Sequence, residues 1–274
     1  MENLFALASN NMRVAELQIA PWEKIIVVAC ESADLAIYDN VIVKTEAGLD
    51  LAKVVDIYEA DQPGLEDGAE IIRRATTQDY QGLMSEEEKN RAFQICYEAI
   101  KKFDLNMKLV DVRGSYDGNR LTFAFVANGR VDFRELVKEL TRYFNKNIRL
   151  QQIGIRDEAK AMGDQGRCGR GLCCREHLNK FSSVTSEVAE VQGLSGRGSD
   201  RLSGACGRLM CCLAYEADGY KDLSAKLPHP GTEINVDGKK GIVVGQNLLK
   251  QSLNVKFRGE KGEADYVIEV EWKK

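Results

Sequence analysis

Hydrophobic and polar positions alternate along residues 14–19, 24–30, 41–45 and 51–57, with Asp39-Asn40 and Ala47-Gly48 as turn signals between them. This period of two predicts a small β module. Residues 61–68 read as a polar turn around Pro63, and residues 70–73 as one further strand. The period then changes. Ser85-Glu86-Glu87-Glu88 is a capping box, and Phe93, Cys96, Ile100 and Phe103 follow at spacings of three and four, which predicts a long amphipathic helix. Residues 107–113 and 120–127 return to alternation around the Tyr116-Asp117-Gly118-Asn119 turn. Asp132 and Glu135 open a second helix carrying Leu136, Val137, Leu140 and Phe144, and residues 147–153 form a strand. Helix, strand, strand, helix, strand is the order of a two-layer α+β sandwich of split-βαβ type.

A short helix over residues 156–163 ends at glycine, and a long polar stretch, 175–205, reads as a solvated loop. After Pro230 the pattern is β again, at 233–236, 241–244, 252–257 and 266–271, an echo of the first module that suggests the two β segments pair in space. The expected fold class is α+β: a split-βαβ-like two-layer sandwich flanked by small β-barrel-like N- and C-terminal segments, with a cysteine-rich metal- or cluster-binding insertion. The expected divisions are an N-terminal β module (12–75), an α+β core (76–155), the cysteine-rich region (156–227) and a C-terminal β module (228–274).

Six of the eight cysteines fall in one stretch, where Cys168-Gly169-Arg170-Gly171-Leu172-Cys173-Cys174 recurs as Cys206-Gly207-Arg208-Leu209-Met210-Cys211-Cys212, 38 positions later. A glycine lies two residues before each leading cysteine, at Gly166 and Gly204. Thiolates are soft ligands, and Cys-x4-Cys loops can turn two sulfurs toward one ion, so the candidate metal or cluster ligands are Cys168, Cys173, Cys174, Cys206, Cys211 and Cys212. Gly166, Gly169, Gly171, Gly204 and Gly207 are expected to supply tight turns at positive φ, and Arg167, Arg170 and Arg208 a positive charge that favours the thiolate. Spacing alone does not separate zinc from an iron–sulfur cluster. Adjacent cysteines diverge in regular backbone, and six thiolates exceed one four-thiolate centre but fall short of two. The second centre is then completed by another chain, or the remaining thiols are packed or redox-active.

Cys30 ends an apolar run and Cys96 lies on a helical apolar stripe, so both are expected to be packed thiols. His177, near the first cysteine pair, is expected in a supporting or surface position, and His229, between Pro228 and Pro230, in a rigid loop. The chain of 274 residues is 44% hydrophobic, enough for about two domains. Its net charge of −4 supplies no global basic field for nucleic acid, so any such contact needs a local patch. No secretory signal or membrane span is evident at the N-terminus, which points to the cytoplasm and away from structural disulfides. The sequence contains no nucleophile elbow, phosphate loop or His-Glu-x-x-His, so no enzyme is expected.

Residues Ile155-Arg156-Asp157-Glu158-Ala159-Lys160, the first cysteine motif from Gly166, and Ser203-Gly204-Ala205 running through the second motif to Leu213-Ala214-Tyr215-Glu216 resemble the bacterial YaaT/RicT family, which carries a polymerase-suppressor (PSP) C-terminal domain. The resemblance spans most of the chain. It departs from the family pattern at Gly193–Asp200 and where Arg167 and Gly171 replace common prolines. What it implies is a non-enzymatic subunit of a cytoplasmic complex that holds [4Fe–4S] clusters, one or two and shared with partner chains. The implied partners are RicA/RicF-like small subunits and the endoribonuclease RNase Y, and the implied processes are RNA maturation and development. The competing reading is a zinc-stabilised single-stranded nucleic-acid-binding module using Arg167, Arg170, Arg197, Arg201 and Arg208 as a local basic patch. Gly196-Arg197-Gly198 has the composition of a phosphate loop but reads better as part of the solvated loop. A thiol-based redox enzyme is the third.

Overall fold

The computed structural model describes residues 11–178, 183–194, 196–259 and 264–272. Two units divide the chain, Met1–Asp164 and Gln165–Lys274. In the first unit the alternating segments become β1 (Met12–Gln18), β2 (Ile26–Ala29), β3 (Asn40–Thr45), β4 (Gly48–Ala60) and β5 (Glu70–Arg74), one sheet in the order β2-β1-β4-β3-β5. Ala15, Leu17, Val28, Val41, Val43 and Val54 line its buried face. The sheet curls until β2 and β5 approach one another, and Glu66 N–H donates to Val27 O at 2.9 Å. It does not close. The expected barrel is an open sheet, because β2 has four residues and β5 is bulged in its pairing with β3, which leaves no continuous ladder to join the edges.

The capping box closes as the sequence predicts. After α1 (Thr77–Gln81), Glu88 N–H donates to Ser85 Oγ at 3.2 Å and Ser85 N–H to Glu88 Oε2 at 2.9 Å, starting α2 (Glu86–Lys102). Next come β6 (Lys108–Gly114), β7 (Arg120–Val126), α3 (Arg134–Phe144) and β8 (Asn147–Gln152). The apolar faces of α2 and α3 pack on this three-stranded sheet around Cys96, Ile100, Phe123, Leu136 and Leu140. Strands β6 and β7 are antiparallel, and β7 and β8 are parallel neighbours joined by α3. The sheet order is β6-β7-β8, so no strand separates the parallel pair and the expected split is absent. Asp132 accepts from Arg134 N at 3.2 Å, but the α3 N-cap position is Phe133; Asn145, at φ 50°, ends the helix in the left-handed conformation.

The other face of this sheet meets the five-stranded sheet through polar groups. Trp22 Nε1 donates to Asp111 at 2.8 Å, Arg113 to Leu51 O at 2.6 Å, and Arg120 pairs with Asp50. Helix α4 (Ile155–Met162) then ends at Gly163, at φ 73°, as expected.

The second unit holds α5 (Cys173–Glu176), α6 (Ser186–Val191), α7 (Ser199–Leu202) and α8 (Cys211–Ser224), followed by β9 (Glu233–Val236), β10 (Lys239–Asn247), β11 (Ser252–Phe257) and β12 (Tyr266–Glu271). These four strands are an antiparallel meander, open at both edges, with Ile234, Val243, Leu253, Val255 and Phe257 as its core. Among the described residues the two β segments form separate sheets, with no strand of one paired to a strand of the other, contrary to expectation. Among the described residues of the stretch between the cysteine motifs, Val184, Val188, Ala189, Leu194 and Leu202 are not solvated but pack with Leu213 of α8; residues 179–182 and 195 of that expected loop lie outside the described residues. These apolar residues are too sparse among polar ones to show a period.

Candidate functional site

Each cysteine motif folds as a tight turn that runs into a helix. In the first, Gln165 and Gly171 form an antiparallel bridge, Gly166 N–H donates to Arg170 O at 2.8 Å, and Gly169 N–H to Gly166 O at 2.9 Å. The second repeats this bond for bond: Ser203 bridges Leu209, Gly204 N–H donates to Arg208 O at 2.8 Å, and Gly207 N–H to Gly204 O at 3.0 Å. Gly169 and Gly207 sit at φ 76° and 75°, a conformation that strains any residue with a Cβ. Gly166, Gly171 and Gly204 do not take positive φ, contrary to expectation. A Cβ on Gly171 would lie 1.9 Å from Glu176 Oε1. In the second turn Leu209 stands at the glycine's place and Ala214 at the glutamate's, so bulk has moved from one position to the other.

Leu172 and Met210 are extended, and the next residues, Cys173 and Cys211, start α5 and α8. Helix α5 packs on α8. Here equivalent residues of the two repeats meet. The thiol of Cys173 lies beside that of Cys211, and the His177 and Tyr215 rings, each nine positions after its leading cysteine, lie edge to face with centroids 5.8 Å apart. Like against like is the contact pattern of a local twofold axis.

Around that axis the sulfurs gather unequally. Burial pushes the Cys173 thiol above its ordinary value, and the nearby Cys211 and Cys168 sulfurs push it further. Burial likewise raises Cys212, with Cys211, Cys173 and Glu216 adding to the shift. Cys168, Cys211 and Cys212 therefore each lie within electrostatic reach of Cys173, and Cys211 and Cys212 within reach of one another. Cys174 is buried beneath, 6% exposed, and Cys206 is half-buried on the second turn. Among the described residues, no three Cys, His, Asp or Glu side chains are already drawn together as a metal-holding group. The soft donor set nevertheless suits a thiolate-bound metal or cluster, since the four thiols come from two matching turns and none is sealed in a core, Cys168 being exposed and Cys173, Cys211 and Cys212 half-buried. Glu216 and the His177–Tyr215 pair were not singled out together by the sequence; their common offset from the repeat was the available signal.

The remaining candidates fall away from this group. Cys30 is 4% exposed in the first sheet's core, and Cys96 is fully buried, its thiol pushed up to about 12 by burial, so both are packed thiols as expected. His229 lies in the loop before β9, its carbonyl accepting from Thr232 N–H at 3.1 Å. Arg167, Arg170, Arg197, Arg201 and Arg208 are all exposed, and Gly196-Arg197-Gly198 leads into the four-residue α7. Among the described residues no helix is long and apolar enough to cross a membrane.

Comparison with known proteins places these features. The profile of the PSP1 C-terminal conserved region matches residues 69–153, and that of the third domain of PSP1-like proteins matches residues 183–227. The stage 0 sporulation protein YaaT of Bacillus subtilis (strain 168) is 41% identical over 202 residues, which cover 73% of this chain and 72% of that protein. An uncharacterized protein of Schizosaccharomyces pombe is 29% identical over 79 residues, 28% of this chain and 10% of that protein. No solved structure matches significantly.

Proposed function

The chain belongs to the family of the Bacillus stage 0 sporulation protein YaaT, and on that footing we propose that it is a non-enzymatic regulatory subunit whose paired cysteine turns hold an iron–sulfur centre. What supports this reading is that two matching turns bring Cys173 of one beside Cys211 of the other, with Cys168 and Cys212 within electrostatic reach of Cys173. Bound there, the group supplies a redox-sensitive crosslink between α5 and α8. Cys174 and Cys206 are the reserve thiols for a second centre shared with a partner. The partners in this reading are RicA/RicF-like small subunits and RNase Y, and the complex modulates RNA processing and development from the cytoplasm.

The test is anaerobic purification with iron, sulfide and zinc measured on the same sample, alone and after co-expression with the small subunits. Iron and sulfide that fall together in Cys173→Ser and Cys211→Ser, with the far-UV spectrum of the α+β unit retained, support the centre. Zinc without iron or sulfide supports the second reading, a zinc-stabilised single-stranded nucleic-acid-binding module, which the five exposed arginines favour. Absence of any metal in both preparations rejects both.

A further inference from the structure

The polar seam of the first unit leaves one cation without a counter-charge. Arg113 is half-buried, and among the described residues no carboxylate pairs with it. Its one hydrogen bond runs from a terminal nitrogen to Leu51 O at 2.6 Å. The other two guanidinium nitrogens have no partner among the described residues, and they are open to solvent, because the one buried side-chain nitrogen there without a partner is Arg120 Nε. The nearby acids are committed elsewhere. Asp111 accepts from Trp22 Nε1 at 2.8 Å and pairs with Lys89 at 2.8 Å, Asp50 pairs with Arg120, and Glu23 lies 3.7 Å from Arg149. A charge withdrawn from water without a partner is unfavourable. Burial accordingly holds the Arg113 guanidinium below its ordinary value, although Asp50 and Glu23 act to raise it.

Arg113 lines a cleft of about 340 Å³ in the same unit, bounded by the end of β1, by β4, by the start of α2 and by β6. Small-molecule sites begin at this size. Ile19, Leu51 and Met84 give the cleft an apolar wall, and its charged residues are Lys53, Lys89 and Arg113 against Glu86 and Asp111, one positive charge in excess. We propose that this cleft binds a small organic carboxylate, which accepts hydrogen bonds from the open nitrogens of Arg113 while its apolar body lies against Ile19, Leu51 and Met84. Guanidinium and carboxylate form charge-assisted hydrogen bonds, stronger than neutral ones. One negative charge balances the wall. A doubly charged phosphate would exceed it and be repelled by Glu86 and Asp111, and an amine would add to the excess of positive charge. The site does not depend on the centre proposed for the cysteine turns.

NMR titration of the full chain with sodium butyrate, 1-butanol and butylamine, which share one apolar body and differ in charge, tests the site. Butyrate should bind saturably, with the millimolar dissociation constant expected of so few atoms, and should shift the Arg113 Nε–H signal, identified by its absence from Arg113→Gln. Butanol and butylamine should do neither. Butyrate affinity should fall about tenfold in Arg113→Gln, the loss of a charge-assisted contact. It should fall also in Lys53→Glu, where the altered side chain is exposed and the far-UV spectrum should be unchanged. If Arg113→Gln does not fold, Lys53→Glu decides. Butyrate that never saturates, butanol or butylamine that binds as tightly as butyrate, inorganic phosphate that displaces butyrate at lower concentration, or a butyrate affinity untouched by Lys53→Glu overturns the proposal.

Discussion

Cys96 and Cys173 carry the same thiol in opposite settings, and setting decides what each can do. Cys96 is sealed in an apolar core that keeps it protonated, whereas Cys173 sits at a half-buried helix start within electrostatic reach of Cys168, Cys211 and Cys212. Both outcomes were legible, because one residue lay on a helical stripe and the other in a repeat. The polar seam of the first unit was not, because Glu23, Asp50, Arg113 and Arg120 are far apart in sequence and carry no local pattern. Burial raises the Glu23 carboxyl above its ordinary value despite Arg113 and Arg149 nearby. A group raised in the folded state adds stability that is fully present below its unfolded value, 4.5, and is lost as pH rises through its folded value. Relative to Glu23→Gln, the natural protein should therefore gain stability as pH falls from neutrality toward 4.5, and urea melts of both across that range measure the gain. A difference between the two proteins that stays flat with pH would mean Glu23 is ionised at no cost.

The turns carry the same argument at the scale of elements. The sequence announced them through period and glycine, and the bond-for-bond match of the two bears this out. It did not announce α6 and α7, whose few apolar residues find their partners on α8, nor the open edges of the β modules, which depend on long-range register. Nor did it separate the glycines that the backbone requires from those it tolerates. Gly169 and Gly207 are at positive φ, and a methyl group added at either would meet nothing within 4 Å, so alanine there meets backbone strain alone. That strain is about 1–2 kcal/mol at each site and should be equal in the two turns. At Gly171 the backbone is ordinary, and alanine has only to displace the far end of the flexible Glu176 side chain. Denaturation midpoints of the three single variants, with the metal or cluster retained, should thus fall equally for Gly169→Ala and Gly207→Ala and less for Gly171→Ala. Unequal losses at 169 and 207 would show that the turns are not mechanically equivalent.

At the scale of the whole molecule, the two units draw on different sources of stability. The first has two large buried clusters, one in the five-stranded sheet and one between that unit's helices and its three-stranded sheet, so it can hold itself together. Between Gln165 and the first strand of the meander the buried apolar cluster is small, centred on Ala189, Leu202 and Leu213. A region with so little core gains most from a crosslink, and the metal or cluster proposed for the thiols of both turns would supply one directly, because its binding free energy would become folding free energy. Removing it should loosen this region and leave the first unit nearly unchanged. Hydrogen exchange before and after treatment with a chelator under reducing conditions locates the effect: protection should be lost over residues 165–227 and kept over 11–164, and the thermal melt should split into an early, chelator-sensitive step and a later, insensitive one. Equal loss in both units would mean that the centre stabilises the molecule as a single cooperative body, and the paired turns would then be a keystone for the whole chain instead of a local clasp.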